Sequence, residues 1–128
     1  RQKVKFKQKN NKINILLCAC KKYIKSQKNG ILLVKIDNQS IVNYVFCDTN
    51  NFEVFCFCKL MQFKNISILS TESGNDVIDT NYFLVGGFDK DKGKGAIKLY
   101  KIINVKEKDN KHKTKIKFIG NIIKITST

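Results

Sequence analysis

The fold class follows from residues 82–102. They run Tyr82-Phe-Leu-Val-Gly-Gly-Phe-Asp89, then Lys-Asp-Lys-Gly-Lys, then Gly95-Ala-Ile-Lys-Leu-Tyr-Lys-Ile102. Two short apolar runs on either side of a charged segment that contains glycine are typical of a β-hairpin. The pair Gly86-Gly87 inside the first run indicates close backbone packing or a β-bulge. The stretch therefore predicts antiparallel strands over residues 82–88 and 95–103, joined by a turn over residues 89–94.

A similar hairpin stands 67 residues earlier. Asn14-Ile-Leu-Leu-Cys-Ala-Cys20 is followed by a polar segment and then by Gly30-Ile-Leu-Leu-Val-Lys-Ile36. Two hydrophobic hairpins in a chain rich in Ile and Lys can look alike by chance. A strand-hairpin-strand unit that occurs twice is also the sequence signature of a repeat architecture.

Strand patterns account for most of the remaining chain. Further strands are predicted over residues 41–47, 52–60 and 114–125, with a short strand over 66–69 inside a long polar loop over 62–80. Residues 104–113 are predicted to form a basic loop. We find no capping residue followed by an apolar stripe of helical period. The sequence therefore predicts an all-β chain.

The hairpin over residues 82–102 resembles the two central strands of a divergent WD-repeat-like β-propeller blade. The resemblance extends over about residues 14–125 and implies antiparallel four-stranded blades. Residues 52–60 would be the innermost strand and residues 114–125 the outer strand, with Lys113, Lys115 and Lys117 facing out. The chain has no Trp and a single His, so it lacks the Trp-Asp and Gly-His signatures of the standard repeat.

The resemblance also implies how the chain is organised. Residues 1–128 would form a single all-β unit, with residues 1–48 as an incomplete first blade and residues 49–128 as a second. A propeller needs about four to eight blades. The remaining blades would come from a longer protein or from self-association. The alternative fold is a self-contained β-sandwich or barrel.

The charge of the chain supports two interpretations. The formal net charge is +15, and 24 of the 25 basic residues are lysine. Abundant Lys, Asn and Ile are what AT-rich codons produce, which favours a solvated surface without a specific partner. A surplus of positive charge also favours a polyanion partner. The only aromatic residue beside the densest basic patch is Phe118, which we expect to face the core. The candidate polyanion- or partner-binding residues of this patch are Lys106, Lys108, Lys111, Lys113 and Lys115.

Five cysteines stand at positions 18, 20, 47, 56 and 58. Their apolar neighbours favour packing in the core as small hydrophobic side chains. Two Cys-x-Cys pairs on adjacent strands would also present four thiolates, a set compatible with zinc. We expect core packing, no metal, and a reducing, intracellular compartment such as the cytoplasm.

No catalytic set can be assembled from this chain. The glycines of residues 86–95 match neither a Walker loop nor a calcium loop. His112 stands among lysines, where we expect it to be solvated. We therefore predict no enzyme activity, no catalytic residues and no cofactor. The expected function is that of a protein–protein interaction scaffold, with other proteins as partners, no membrane, and nucleic acid as a further possible partner. The alternative is a lysine-rich RNA- or DNA-binding β domain.

Overall fold

All regular structure in the described residues is β-strand. The computed structural model describes residues 13–21, 28–59, 66–70, 81–106, 108–109 and 111–125. The all-β prediction is confirmed, and so is a short strand at residue 66. The strands are β1 Ile13–Cys20, β2 Gly30–Asp37, β3 Ser40–Asp48, β4 Phe52–Lys59, β5 Ile66–Ser70, β6 Tyr82–Asp89, β7 Lys94–Lys106 and β8 His112–Ile125.

The strands form two antiparallel sheets. A three-stranded sheet has the order β1-β2-β3, and a five-stranded sheet has the order β4-β6-β7-β8-β5. The predicted neighbours 52–60, 82–88, 95–103 and 114–125 are confirmed as β4-β6-β7-β8. Strand β5 adds a fifth strand beyond β8 that a four-stranded blade would not have. Neither sheet closes on itself, so the barrel alternative is wrong. The propeller stays a prediction.

The two sheets pack face to face around the larger of two hydrophobic clusters; the smaller one, Tyr82, Leu99 and Ile119, belongs to the five-stranded sheet alone. Alternate residues of each strand point to the same face, so Phe83 and Val85 of β6 point inward together. The Phe83 ring stacks on Tyr100 at a centroid distance of 5.9 Å, and the Tyr100 ring meets Phe118 edge-on at 5.3 Å. The inward orientation predicted for Phe118 is confirmed. The buried core residues are Ile15, Leu17, Ile31, Leu33, Phe52, Val54, Phe57, Phe83, Val85, Tyr100 and Ile102.

The glycine pair in β6 lies opposite a bulge, as predicted. Val54 of β4 pairs with Gly87, and Cys56 pairs with Gly86, so Phe55 has no partner in the ladder. A Cβ atom at Gly87 would lie 2.1 Å from the carbonyl oxygen of Glu53. The two backbones approach closely here because Gly87 has no side chain, and the bulge bends β4 at this point.

The charged turn between β6 and β7 is also confirmed. The Oδ1 atom of Asp89 accepts hydrogen bonds from the backbone N–H groups of Asp91 and Lys92, at 3.0 and 3.2 Å. Gly93 adopts a φ of +64°, which L-residues other than glycine seldom adopt. The side chain of Asp89 and the left-handed glycine together set the direction in which β7 returns.

The basic loop predicted over residues 104–113 is wrong in its extent. Strand β7 continues through Lys106, and β8 begins at His112, so half of the segment belongs to a paired ribbon. The Thr114 hydroxyl donates to Oδ1 of Asn104 at 2.8 Å, which satisfies two polar side chains across the ribbon. Pairing between β7 and β8 therefore includes residues 104–106 and 112–113, where the abundance of lysine had predicted a loop.

The two similar sequence units each form a hairpin, β1–β2 and β6–β7. Their registers differ by one residue. Cys18 pairs with Leu32, whereas Val85, which stands 67 residues after Cys18, pairs with Lys98. The similarity is therefore one of supersecondary structure and not a strict structural repeat. Most of the predicted loop over residues 62–80, and residues 1–12 of the predicted first blade, lie outside the described residues.

Candidate functional site

The outer face of the three-stranded sheet is apolar. The register places two cross-strand rows on this face, Leu16–Val34–Tyr44 and Cys18–Leu32–Phe46. We call these six residues the three-stranded face. Within β1–β3, no lysine or arginine shares it. When one face of an antiparallel sheet contacts water, the residues on that face are normally polar and alternate along each strand with apolar residues on the buried face.

Much of the three-stranded face is exposed. Tyr44 is 69% exposed and Phe46 43%, and Ile41 continues the apolar surface along β3 at 67%. Val34, in the middle of its row, is buried although it belongs to neither hydrophobic cluster. Large exposed apolar patches of this kind mark interaction sites in soluble proteins.

The outer face of the five-stranded sheet carries an apolar groove. Its volume is about 620 Å³. Gly86 and Gly95 form its floor and carry no side chains, which makes the depression deeper. Phe55, at the bulge of β4, forms one side of it. We call it the glycine groove. It is lined by Phe55, Cys56, Gly86, Gly87, Gly95, Ala96, Ile97, Ile122 and Ile123.

Lysines gather at the other end of the same outer face. Lys101 pairs with Lys117, Ile103 with Lys115 and Val105 with Lys113, so four lysines share one face of the β7–β8 ribbon. Lys113, Lys115 and Lys117 are exposed, and the Nζ atom of Lys101 lies 4.8 Å from the centre of the Tyr82 ring. Like charges directly opposite each other destabilise a sheet. We call these four residues the lysine ribbon.

The structure brings together only part of the basic patch expected from the sequence. Lys113 and Lys115 lie on the lysine ribbon, and the outward orientation predicted for Lys113, Lys115 and Lys117 is confirmed. Lys108 and Lys111 are exposed at the turn that joins the two strands. The backbone of Lys106 pairs with His112 at the end of the ribbon, and both side chains lie outside the description. Lys101 was missed because only the register shows it opposite Lys117.

A buried carboxylate links the two sheets at their edges. Glu53 of β4 forms an ion pair with Lys21, which follows β1. It forms a second with Lys90, whose Nζ atom lies 3.7 Å from Oε2 of Glu53. The hydrogen bond from Lys21 is the main reason that the pKa of Glu53 lies below its usual range, and Lys90 adds to the effect. Because both partners are lysines fixed at strand ends, this arrangement indicates a structural ion pair.

The cysteines do not form a metal site in the described residues. All five are free, and no group of three metal-ligating side chains is found in that part of the chain. The two Cys-x-Cys pairs lie in different sheets. Core packing is wrong for Cys56 and Cys58, which are exposed on the outer face of β4, and for Cys18, which lies half-buried on the three-stranded face. Cys47 packs against the core, and burial raises the pKa of its thiol.

Comparisons with known proteins identify no relative. No family model matches the chain, and no curated protein and no solved structure matches it. Among the described strands and turns there is also no helix of a length and apolarity that would cross a membrane. The features of the described residues that bear on function are therefore the three-stranded face, the glycine groove and the lysine ribbon.

Proposed function

We propose that this chain is a non-enzymatic protein–protein interaction module, and that the three-stranded face is its main docking surface. The observation that carries the proposal is the exposure of Tyr44 and Phe46 side by side on a sheet face that carries no lysine or arginine within β1–β3. Fully burying one such side chain contributes about 1.5–3 kcal/mol. Aromatic residues are also enriched at the centres of protein interfaces.

The two outer faces favour a place in a larger stack of sheets. A sandwich that functions alone normally presents polar residues on both outer faces. Here both sheets have apolar surface facing outward, the three-stranded face on one side and the glycine groove on the other. This is the pattern expected of two neighbouring units of a β-propeller or a similar array. The five free cysteines support a reducing, intracellular compartment for the module.

Solution mass is the direct test of the proposal. Light scattering on a sizing column, at low and at high salt and over a range of concentrations, measures whether the three-stranded face drives association. We expect a defined oligomer or progressive association that persists at high salt, because apolar contacts are not screened by ions. A hydrophobic dye such as ANS should bind the unassociated chain.

The variant Tyr44→Lys should abolish association and reduce dye binding. Asn43→Lys is the matched control, since Asn43 is exposed on the same strand and points to the other face of the sheet. It adds the same charge to the same strand on the side that faces away from Tyr44 and Phe46. A wild-type chain that stays monomeric at all concentrations and binds no dye would contradict the proposal.

The lysine ribbon supports a second candidate function, binding of RNA or DNA through phosphate contacts. The observation in its favour is that four lysines share one face of β7–β8, with no acidic residue on that face of the described strands β6–β8. Lysines two apart on a strand recur at about 6.6 Å, a spacing that suits successive phosphates of an extended strand. Tyr82 is the aromatic residue nearest to them and is buried, so electrostatic binding without sequence preference is expected.

Fluorescence anisotropy with a labelled single-stranded RNA of mixed sequence tests this candidate. The double variant Lys113→Gln/Lys115→Gln should weaken binding. It should also reduce the slope of log K against log salt concentration by about 1.4, since each phosphate contact contributes about 0.7 to that slope. The matched control is Lys92→Gln/Lys94→Gln, which removes the same charge from the exposed hairpin between β6 and β7. Equal losses for both double variants would mean that only net charge matters and would exclude the ribbon as a site.

A further inference from the structure

The three-stranded face and the glycine groove are complementary in shape. Tyr44, Phe46 and Ile41 project from the face on an edge strand of its sheet. The groove is a depression of about 620 Å³ whose floor has no side chains at Gly86 and Gly95. Its lining is apolar except for the thiol of Cys56 and backbone groups. A projecting apolar row and an apolar depression on the same molecule can therefore fit each other across two copies.

The charges of the two surfaces favour the same pairing. The five-stranded outer face carries the lysine ribbon at the end away from the groove, whereas no positive charge lies on the three-stranded face within β1–β3. Contact between two groove faces with their strands running in the same direction would bring two sets of lysines together, which costs free energy. Contact between a three-stranded face and a groove face avoids that repulsion.

The two surfaces also point in opposite directions. The sheets enclose the main core between them, so each outer face lies on its own side of the molecule. A contact between unlike faces leaves one of each kind free at the ends of a pair. Such heterologous contacts continue until a ring closes or a filament forms.

We propose that a second copy of this chain occupies the glycine groove with its three-stranded face, so that copies associate head to tail. The inference rests on the proposed function, since it takes the three-stranded face as the docking surface and names its partner. Tyr44 and Phe46 of one copy enter the groove of the next beside Phe55, Ile97 and Ile123. Each copy that docks through its three-stranded face still has a free glycine groove on its other side, which can bind a further copy.

Complementary variants test the direction of the contact. Tyr44→Lys removes the projecting surface, and Ile97→Lys places a charge in the groove. We expect each variant alone to be a monomer in light scattering. An equimolar mixture should form a one-to-one heterodimer and nothing larger, because only one functional surface of each kind remains. Asn43→Lys should associate as the wild-type chain does.

The possible failures are distinguishable. If Ile97→Lys still forms a dimer while Tyr44→Lys does not, the three-stranded faces pair with each other; head-to-tail association is then overturned and the proposed docking surface stands. If the mixture stays monomeric, the inference is also overturned. If the wild-type chain neither associates nor binds a hydrophobic dye, both the inference and the proposed function fail.

A crosslink provides a test that does not depend on a charged substitution. The variant Tyr44→p-benzoylphenylalanine keeps an exposed aromatic side chain, and irradiation of the associated protein should join it to the neighbouring copy. We expect the crosslinked peptide to contain Phe55, Ile97 or the segment 122–123. A crosslink to β3 of the partner would overturn the head-to-tail contact in favour of a symmetric one.

Discussion

Replacing Gly87 with alanine should destabilise the protein strongly, because the backbone of β4 occupies the space of the new methyl group. The added Cβ would lie 2.1 Å from the carbonyl oxygen of Glu53 and 2.8 Å from the edge of the Phe52 ring. The first neighbour is a main-chain atom beside the bulge and cannot move without disturbing the ladder. Overpacking of this kind costs about 1–3 kcal/mol. We expect the upper end of that range, about 3 kcal/mol.

Gly95→Ala is the matched control on the adjacent strand. Its Cβ would meet only the carbonyl oxygen of Gly87 at 3.7 Å, an ordinary contact. Alanine also restricts the unfolded chain, so this variant should be neutral or more stable by up to about 1 kcal/mol. For a domain of this size, the melting temperatures of the two variants should differ by about 10 °C or more.

Urea unfolding followed by far-ultraviolet circular dichroism measures the difference, since the chain has no tryptophan. Gly86→Ala is informative as a third variant, because its Cβ would meet only the Sγ atom of Cys56, at 2.7 Å. The double variant Gly86→Ala/Cys56→Ala should recover most of that loss. Free energies of unfolding for Gly87→Ala and Gly95→Ala within about 0.5 kcal/mol of each other would refute the close approach of β4 and β6.

Three further substitutions or measurements test separate features. Glu53→Gln should cost about 1 kcal/mol at neutral pH. Since Lys21 lowers the pKa of folded Glu53, its contribution is present above the unfolded pKa near 4.5 and is lost as the pH falls. Urea midpoints of wild type and variant should therefore converge in acid, and a constant difference would exclude the ion pair. Gly93→Ala should cost about 1 kcal/mol, because its φ is +64°, and an unchanged urea midpoint would contradict this. A thiol reagent at neutral pH should label exposed Cys56 faster than Cys47, whose thiol pKa is raised by burial; peptide mass spectrometry would show the order, and equal rates would count against the packing of Cys47.

Local sequence patterns were sufficient to predict the strands, and the resemblance to a blade predicted the order β4-β6-β7-β8 but not the position of β5 beyond β8. The glycine pair at 86–87 predicted close backbone packing or a bulge, because an absent side chain is a local property that the sequence displays directly. The hairpin turn at 89–94 was predicted for the same reason. The end of β7 was placed too early, because the lysines of residues 106–113 indicate solvent, and exposed strands are also solvated.

The exposed surfaces depend on pairing between distant strands and were not predicted. Val45 and Cys47 face the core, while Tyr44 and Phe46 on the same strand face outward. A strand with apolar residues on both faces is typical of one that packs against other structure on both sides. The sequence of residues 41–47 has this pattern. The position of Lys101 opposite Lys117 depends on the register of β7 and β8, which composition does not reveal.

The position of β5 has a consequence for the order in which the protein is made and folds. Among the described strands, Ile66–Ser70 pairs only with Gly120–Ile125 of β8, although β6 and β7 stand between them in the chain. At a synthesis rate of about 5–20 residues per second, β5 leaves the ribosome several seconds before its partner exists. It can therefore join the sheet only after β8 has been completed, and pairing this distant in sequence is slow to form. A nascent chain arrested before β8 would carry β5 without its ladder partner, and pulse labelling by hydrogen exchange should find its amides unprotected until the last strand emerges.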